Sequence, residues 1–351
     1  MDTRPESDLD LRKEIAADAA EPEEAPSIFV RAGQFFIVPL AIVTACVGVY
    51  VFFQYMVSEP NAPHDLIAKI RTGGAVTRKH AAHQLVQVVI DQARRDQLDP
   101  NLVDPLLTLF KELPANEAPA DPVTLKLVGE GPSMRAVLAR CLAIIGDPRA
   151  VGPILDALKE ERNSETMAAY IDALGGIGAP EAADALINLL DHSSTVVRKY
   201  AAFNLAAVAA AKPEKKKRGD KPAEPDLSAA PLPPAVPEAV PHLQRKLKDP
   251  REEVRWNAAL GLAIFLRDPA GKEIIQQMLD RADLERIIGS DKKEPNVDGL
   301  VAHAMTQACH AAAALRDKSF GPALVRMKDH DPNSDVRAAA RMANETLAKV
   351  K

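Results

Sequence analysis

The stretch GDPRAVGPILDALKEERNSETMAAYIDALGGIGAPEAADALINLLDHSSTVVRKYAAFNLAAV, residues 146–208, contains two near copies of one unit. Asp147-Pro148 lines up with Ala179-Pro180, Ile154-Leu155-x-x-Leu158 with Leu186-Ile187-x-x-Leu190, and Ala168-Ala169 through Leu174 with Lys199 through Leu205. Each unit of about 31 residues reads as a helix hairpin. Its first helix places apolar residues at i, i+1 and i+4, and its second carries small residues followed by leucine, so the two helices pack closely.

Working outward, the turn Asp-Pro-x-x-x-Val-Arg followed by an alanine-rich helix stands complete at Asp249-Pro250 to Val254-Arg255 and at Asp331-Pro332 to Val336-Arg337. The second-helix start alone recurs at Val197-Arg198 and Met134-Arg135, and more loosely at Val76-Thr77-Arg78. These motifs resemble the HEAT repeat, in the short form called PBS-lyase-like. The resemblance covers roughly residues 65 to 351 and implies an all-α architecture, an α-solenoid of about seven helix pairs. Second helices are expected near Arg78, Arg135, Met167, Arg198, Arg255, Met305 and Arg337. A single pair cannot bury its own apolar face, so each neighbour completes the next one's core, and the final pair carries extra charge at Arg341, Lys349 and Lys351 as a cap. The resemblance further implies that Asp249, Arg255, Asp331 and Arg337 form a structural ladder linking neighbouring turns, and that the stack binds protein partners.

Departures from the period mark insertions. Residues 212–236 are rich in Pro, Lys and Glu and read as a loop interrupting the solenoid; Pro114 to Pro132 and Ser290 to Asn296 read as two more.

The first 34 residues hold nine acidic side chains against four basic ones with almost no apolar periodicity, which predicts a disordered tail. From Phe35 to Phe53 nineteen residues pass without a charge, amide or histidine. At ~1.5 Å per residue that run approaches a ~30 Å hydrocarbon core, and residues 35–57 are read as a single transmembrane helix, followed by a stalk at 58–64. Seven of fourteen aromatic residues fall between Phe29 and Tyr55, several at the ends of the run where rings prefer an interface. Arg31 before the run and Glu59 after it predict a single-pass membrane protein with its solenoid on the non-cytoplasmic side.

A net charge of -5 gives no electrostatic footprint for nucleic acid, which is excluded as a partner. Cys46, Cys141 and Cys309 lack CxxC spacing, so neither a disulfide framework nor a zinc ribbon follows. His80 and His83, at i and i+3, lack a third ligand; His303 and His310, with Met305 and Cys309 between them, read as a repeat interface. No metal, cofactor or catalytic residue is expected. His192-Ser193-Ser194 lies in a helix-to-helix turn, with Ser193 or Ser194 as a helix N-cap, and Gly175-Gly176-x-Gly178 reads as helix C-caps. The contact candidates are Trp256, beside Arg255, and the basic run Lys215, Lys216, Lys217 and Arg218, which suits anionic headgroups or a partner.

The reading that results is a non-enzymatic, membrane-anchored scaffold or accessory subunit of a membrane complex, whose protein partner is membrane-embedded or membrane-associated. Lipid-surface binding through the lysine run and a lyase-type enzyme are its alternatives. Limited trypsin digestion is expected to cut first between Lys212 and Lys221, where proline-driven exposure meets several cleavage sites. Earlier cleavage inside residues 146–208, read by mass spectrometry, shows the repeat register to be wrong.

Overall fold

The computed structural model describes residues 28–57, 62–114, 133–210, 233–289 and 296–350. The chain divides into two compact units, Met1–Asn61 and Ala62–Lys351.

In the first unit the described element is helix α1, Ile28–Val57. Phe36, Leu40, Val43, Val47, Tyr50 and Phe52 are exposed on it. The membrane expectation is corrected here. Among the described residues no helix is long and apolar enough to cross a membrane. The single-pass assignment of residues 35–57, and the side of a membrane on which the solenoid would lie, fall with it.

The second unit is a row of helix pairs. In chain order they are α2 Pro63–Thr72 with α3 Ala75–Arg94, α4 Val103–Glu112 with α5 Met134–Ile145, α6 Val151–Glu160 with α7 Ser164–Ile177, and α8 Ala183–Leu189 with α9 Thr195–Ala209. Then come α10 Ala239–Lys246 with α11 Glu252–Leu266, α12 Lys272–Met278 with α14 Val297–Leu315, and α15 Gly321–His330 with α16 Ser334–Ala348. A short helix α13, Arg281–Ile288, stands between the partners of the sixth pair. Seven pairs are present among the described residues, and six second helices start within a few residues of their expected anchors. In the sixth, Met305 lies mid-helix, because α14 is 19 residues long and starts at Val297.

Second helices stack on second helices, α3 on α5, α5 on α7, α7 on α9, α9 on α11, α11 on α14 and α14 on α16. Alanine and glycine set the spacing. A Cβ on Gly175 of α7 would lie 1.9 Å from Asn204 Oδ1 of α9, and one on Gly261 of α11 would lie 2.8 Å from Ala206 Cβ. Gly175 and Gly176 are therefore packing positions inside α7; only Gly178, at φ 61°, caps it. Fully buried Leu138, Leu142, Ile171, Leu174, Leu205 and Leu262 fill the spaces between these helices. The same close stacking continues through α11, whose Ala258 and Leu262 join the N-terminal core while Ala259 and Ala263 join the C-terminal one.

Four of the turns inside the pairs share one hydrogen-bond pattern. A side-chain acceptor takes the backbone N–H two residues on: Glu161 from Asn163 (2.8 Å), Asp249 from Arg251 (3.1 Å) and Asp331 from Asn333 (2.9 Å). His192 fills this role through Nδ1, accepting from Ser194 N–H at 3.1 Å. Ser194 stands at the N-cap of α9 without a side-chain cap bond, so the expected serine cap is not made. Six residues after the acceptor, an arginine Nη1 donates to two turn carbonyls. Arg198 reaches those of His192 and Ser193, Arg255 those of Asp249 and Pro250, and Arg337 those of Asp331 and Pro332.

The insertions resolve in part. Within 212–236, the described end returns to the core: Ala235 N–H donates to the Ala209 carbonyl at 2.8 Å and Val236 is buried. Residues 115–132, 211–232 and 290–295, and with them Lys215, Lys216, Lys217 and Arg218, lie outside the described residues, as does the acidic tail up to residue 27.

Gly175→Ala tests the stacking. Forcing a methyl against Asn204 is expected to cost about 1–3 kcal/mol, read as a lower urea midpoint at unchanged slope. Gly152→Ala, at a helical position with nothing within 4 Å, is expected to be neutral or slightly stabilising.

Candidate functional site

Because second helices stack in one continuous row, side chains that do not enter the core between them line a groove along that row. Two adjoining cavities mark it. One, of about 320 Å³, runs from His83 of α3 past Arg140 of α5 to Asp172 of α7. The other, of about 730 Å³, continues from Asp172 across Phe203 of α9 and Trp256 of α11 to His303 of α14. Asp172 and Tyr200 line both. A smaller cavity of about 210 Å³ lies against Trp256, Met278 and Leu284, on the side of α13.

The floor at the junction is polar and held in place. Asn204 is 4% exposed within the otherwise apolar run Ala201–Ala209 of α9, and its Nδ2 donates to the Tyr200 carbonyl at 3.0 Å. It also acts on the Asp172 carboxyl of α7, favouring its charged form. Gly175 is what makes room for it. Asp172 keeps open solvent on its groove side, yet the surrounding protein desolvates it and raises its pKa above the usual carboxylate range, against the opposing pull of Asn204 and Arg140. The Tyr200 phenol is likewise pushed up, first by desolvation and then by the negative charges of Asp172 and Glu165. Lys199 Nζ lies 5.6 Å from the Tyr200 ring centroid.

Further along, ion pairs use up most of the charge. Arg251 Nη2 sits 3.3 Å from Glu253 Oε1 and Arg255 Nη2 3.2 Å from Glu252 Oε1. Glu253 Oε2 is buried and makes no hydrogen bond. The aromatic wall consists of Phe203, packed edge-to-face on Phe265 at 5.2 Å, and half-buried Trp256. Trp256 also borders the smaller cavity, so the candidate contact residue stands between two recesses of the surface.

The four ladder residues are on the turns, away from the groove floor. Asp249 pairs with Arg198 of the preceding helix pair (Nε–Oδ2 3.2 Å), and Asp331 pairs with Arg281 (Nη2–Oδ1 2.8 Å). Burial alone would raise the Asp249 carboxyl, but the Arg251 N–H, Arg198 and Lys246 outweigh it and hold it below its ordinary value. Arg255 and Arg337 instead grip the carbonyls of their own turns. Sequence reasoning named the aspartates and missed Arg198 and Arg281 as their partners. It also passed over Asp172, Tyr200 and Asn204, although an asparagine inside Ala-Ala-Phe-Asn-Leu-Ala-Ala was a visible signal.

His303 stands exposed on the groove while Met305 and Cys309 are buried in the core, so these side chains do not converge. Burial pushes the Cys141 and Cys309 thiols up to about 12. His80 meets Gln84 at 3.0 Å and His83 borders the groove. Among the described residues no group of three or more His, Cys, Asp or Glu side chains is placed to hold a metal ion.

The family model described as HEAT repeats matches residues 122–206. A comparison with curated proteins found no match. Among solved structures, the complex of CpcE and CpcF of phycocyanin lyase from Nostoc sp. PCC7120 is similar at 18% identity and a TM-score of 0.47, covering 82% of this chain and 94% of that one. Human deoxyhypusine hydroxylase in complex with glycerol is similar at 18% identity and a TM-score of 0.31, covering 85% and 99%.

The Tyr200 shift is open to test by NMR titration of the tyrosine rings. In the wild type its phenol should lose its proton above the ordinary value near ~10. Asp172→Asn removes one of the charges that oppose the phenolate and is expected to bring the titration down toward that value. An unchanged Tyr200 titration in the variant would show that Asp172 does not face the ring.

Proposed function

We propose that this chain is a protein-interaction scaffold, or the accessory subunit of a protein complex, that binds its partner in the groove along its second helices. Its role is binding and not catalysis. The observation that carries this reading is the aromatic and polar wall formed by Tyr200, Phe203 and Trp256, which no other element covers among the described residues. Tyrosine, tryptophan and arginine dominate the energetics of protein interfaces, because large amphipathic side chains gain contact area at small cost in rotamer entropy. The HEAT-repeat match supports the same reading, since stacked pairs present a long continuous surface.

Rigidity favours it as well. Groove residues sit on helices locked by close stacking, so little order has to be created when a partner docks. The lyase-type alternative draws no support from the groove chemistry among the described residues: Asp172 stands beside the Tyr200 phenol, whose own raised pKa makes it a weaker nucleophile.

A photo-crosslinking residue placed at Phe203 or Trp256 is expected to give a discrete protein adduct in cells that express the chain, whereas one at Glu160 or Glu181, exposed on the first-helix side, gives none. Equal adducts from both sets of positions, or adducts only from the first-helix side, would move the interface off the groove.

A further inference from the structure

Helix α13 is foreign to the repeat. The sixth pair is complete without it, since α12 and α14 pack on one another directly. Of the eight residues of α13 only Leu284 is buried, whereas α12, shorter by one, buries Ile275 and Met278. Segments with few buried apolar side chains are the ones that open at low cost while the rest of a fold stays closed.

The start of α13 is nevertheless held firmly. Asp280 caps it, accepting from the Ala282 and Asp283 N–H groups at 3.0 and 3.3 Å. Beside the cap, Arg281 donates through Nε and Nη2 to Asp331 at 3.1 and 2.8 Å, and Asp331 is buried in the turn of the seventh pair. Breaking that pair would strand a buried carboxylate, so this end stays in place. Two further ion pairs, Arg281–Glu285 at 3.4 Å and Arg286–Asp283 at 3.2 Å, are internal to the helix and would travel with it. Beyond the first turn the apolar grip on the stack comes from Leu284 and the half-buried Ile287 and Ile288.

That lightly held part is a partition. Ile287 stands with Glu252, Trp256 and Met278 between the recess of about 210 Å³ and the groove cavity of about 730 Å³, and all four line both. Three of them sit on α11 and α12, inside the stack, and Ile287 alone moves if α13 moves.

We propose that α13 is a strap that pivots on the Arg281–Asp331 pair, swings off Trp256 and joins the two recesses into one slot. The inference rests on the groove reading and makes the groove adjustable at its aromatic wall. With the strap down, the indole is half-buried and the smaller recess is a separate space. With it raised, Leu284 and Ile287 leave the surroundings of the ring, and a wider apolar wall of Trp256, Ile274 and Met278 faces the partner.

Hydrogen exchange of the full chain, read by mass spectrometry, tests the strap without any partner. The amides of residues 285–288, which have acceptors inside α13, are expected to exchange about tenfold or more faster than those of residues 276–278 in the equally short α12. Trp256 is the sole tryptophan of the chain, so acrylamide quenching of its emission reads how far the ring is covered. Arg281 lines neither recess, yet Arg281→Ala should unpin the strap and raise the quenching, and Arg281→Lys, which keeps a cation for Asp331, should restore it. Leu284→Ala, which loosens the strap but spares the pivot, should raise the quenching too, with far-UV circular dichroism showing the stack intact. If residues 285–288 exchange no faster than those of α12, or if both Arg281→Ala and Leu284→Ala leave the quenching at the wild-type level, the strap is overturned. The groove crosslinks are read separately, so the groove reading stands or falls by them alone.

Discussion

Everything in the second unit depends on how closely its second helices approach one another. Gly175 against Asn204 and Gly261 against Ala206 bring α7, α9 and α11 to a separation at which a single methyl would clash. Alanine-rich faces extend this along the row, and the leucines and isoleucines between them complete a core that no isolated pair possesses. Since the backbones are that near, any side chain not pointing into the core is forced to one of two faces, and the groove is the consequence. The buried asparagine of the groove floor, Asn204, exists only because a glycine, Gly175, yields it space.

The turn chemistry solves a different problem, the unpaired carbonyls and N–H groups at helix ends. In the turns at His192, Asp249 and Asp331 a carboxylate or imidazole accepts a turn N–H and an arginine clamps the carbonyls, while Arg198 and Arg281 reach Asp249 and Asp331. Arg198 shows all of this at once, holding the His192 and Ser193 carbonyls and the Asp249 carboxylate. His192 is informative because the preceding helix offers Met167 where Arg198 stands in the next one. With no guanidinium arriving from that side, a carboxylate is not needed, and a neutral ring accepting one N–H suffices. Arg281 gives the complementary lesson: it begins the extra helix α13 yet supplies the ion pair to Asp331, so the ladder crosses the insertion.

The groove combines rigid placement with a mixed polar and aromatic lining. Its aromatic wall lies on α9 and α11, while α13 contributes Ile287 and Ile288 to the far side of the larger cavity. An element that interrupts the repeat thereby shapes the surface most suited to recognition. Surface ion pairs such as Arg251–Glu253 contribute little to stability.

The sequence by itself determined the all-α class, the seven-pair register and the turn residues, because these follow from local periodicity and from motifs such as Asp-Pro-x-x-x-Val-Arg that solve a local hydrogen-bonding problem. It misplaced Gly175 and Gly176 as caps and read residues 281–289 without their helix, since glycine's role depends on what packs against it and an insertion obeys no repeat. A run of uncharged residues from Phe35 to Phe53 predicted a membrane span on composition alone, whereas among the described residues no helix is long and apolar enough to cross a membrane. Only the tertiary structure decided which arginine meets which aspartate and that Asp172, Tyr200 and Trp256 share one groove. Those residues are far apart in the chain and belong to different repeats, and their meeting is a property of helix stacking that no single repeat encodes.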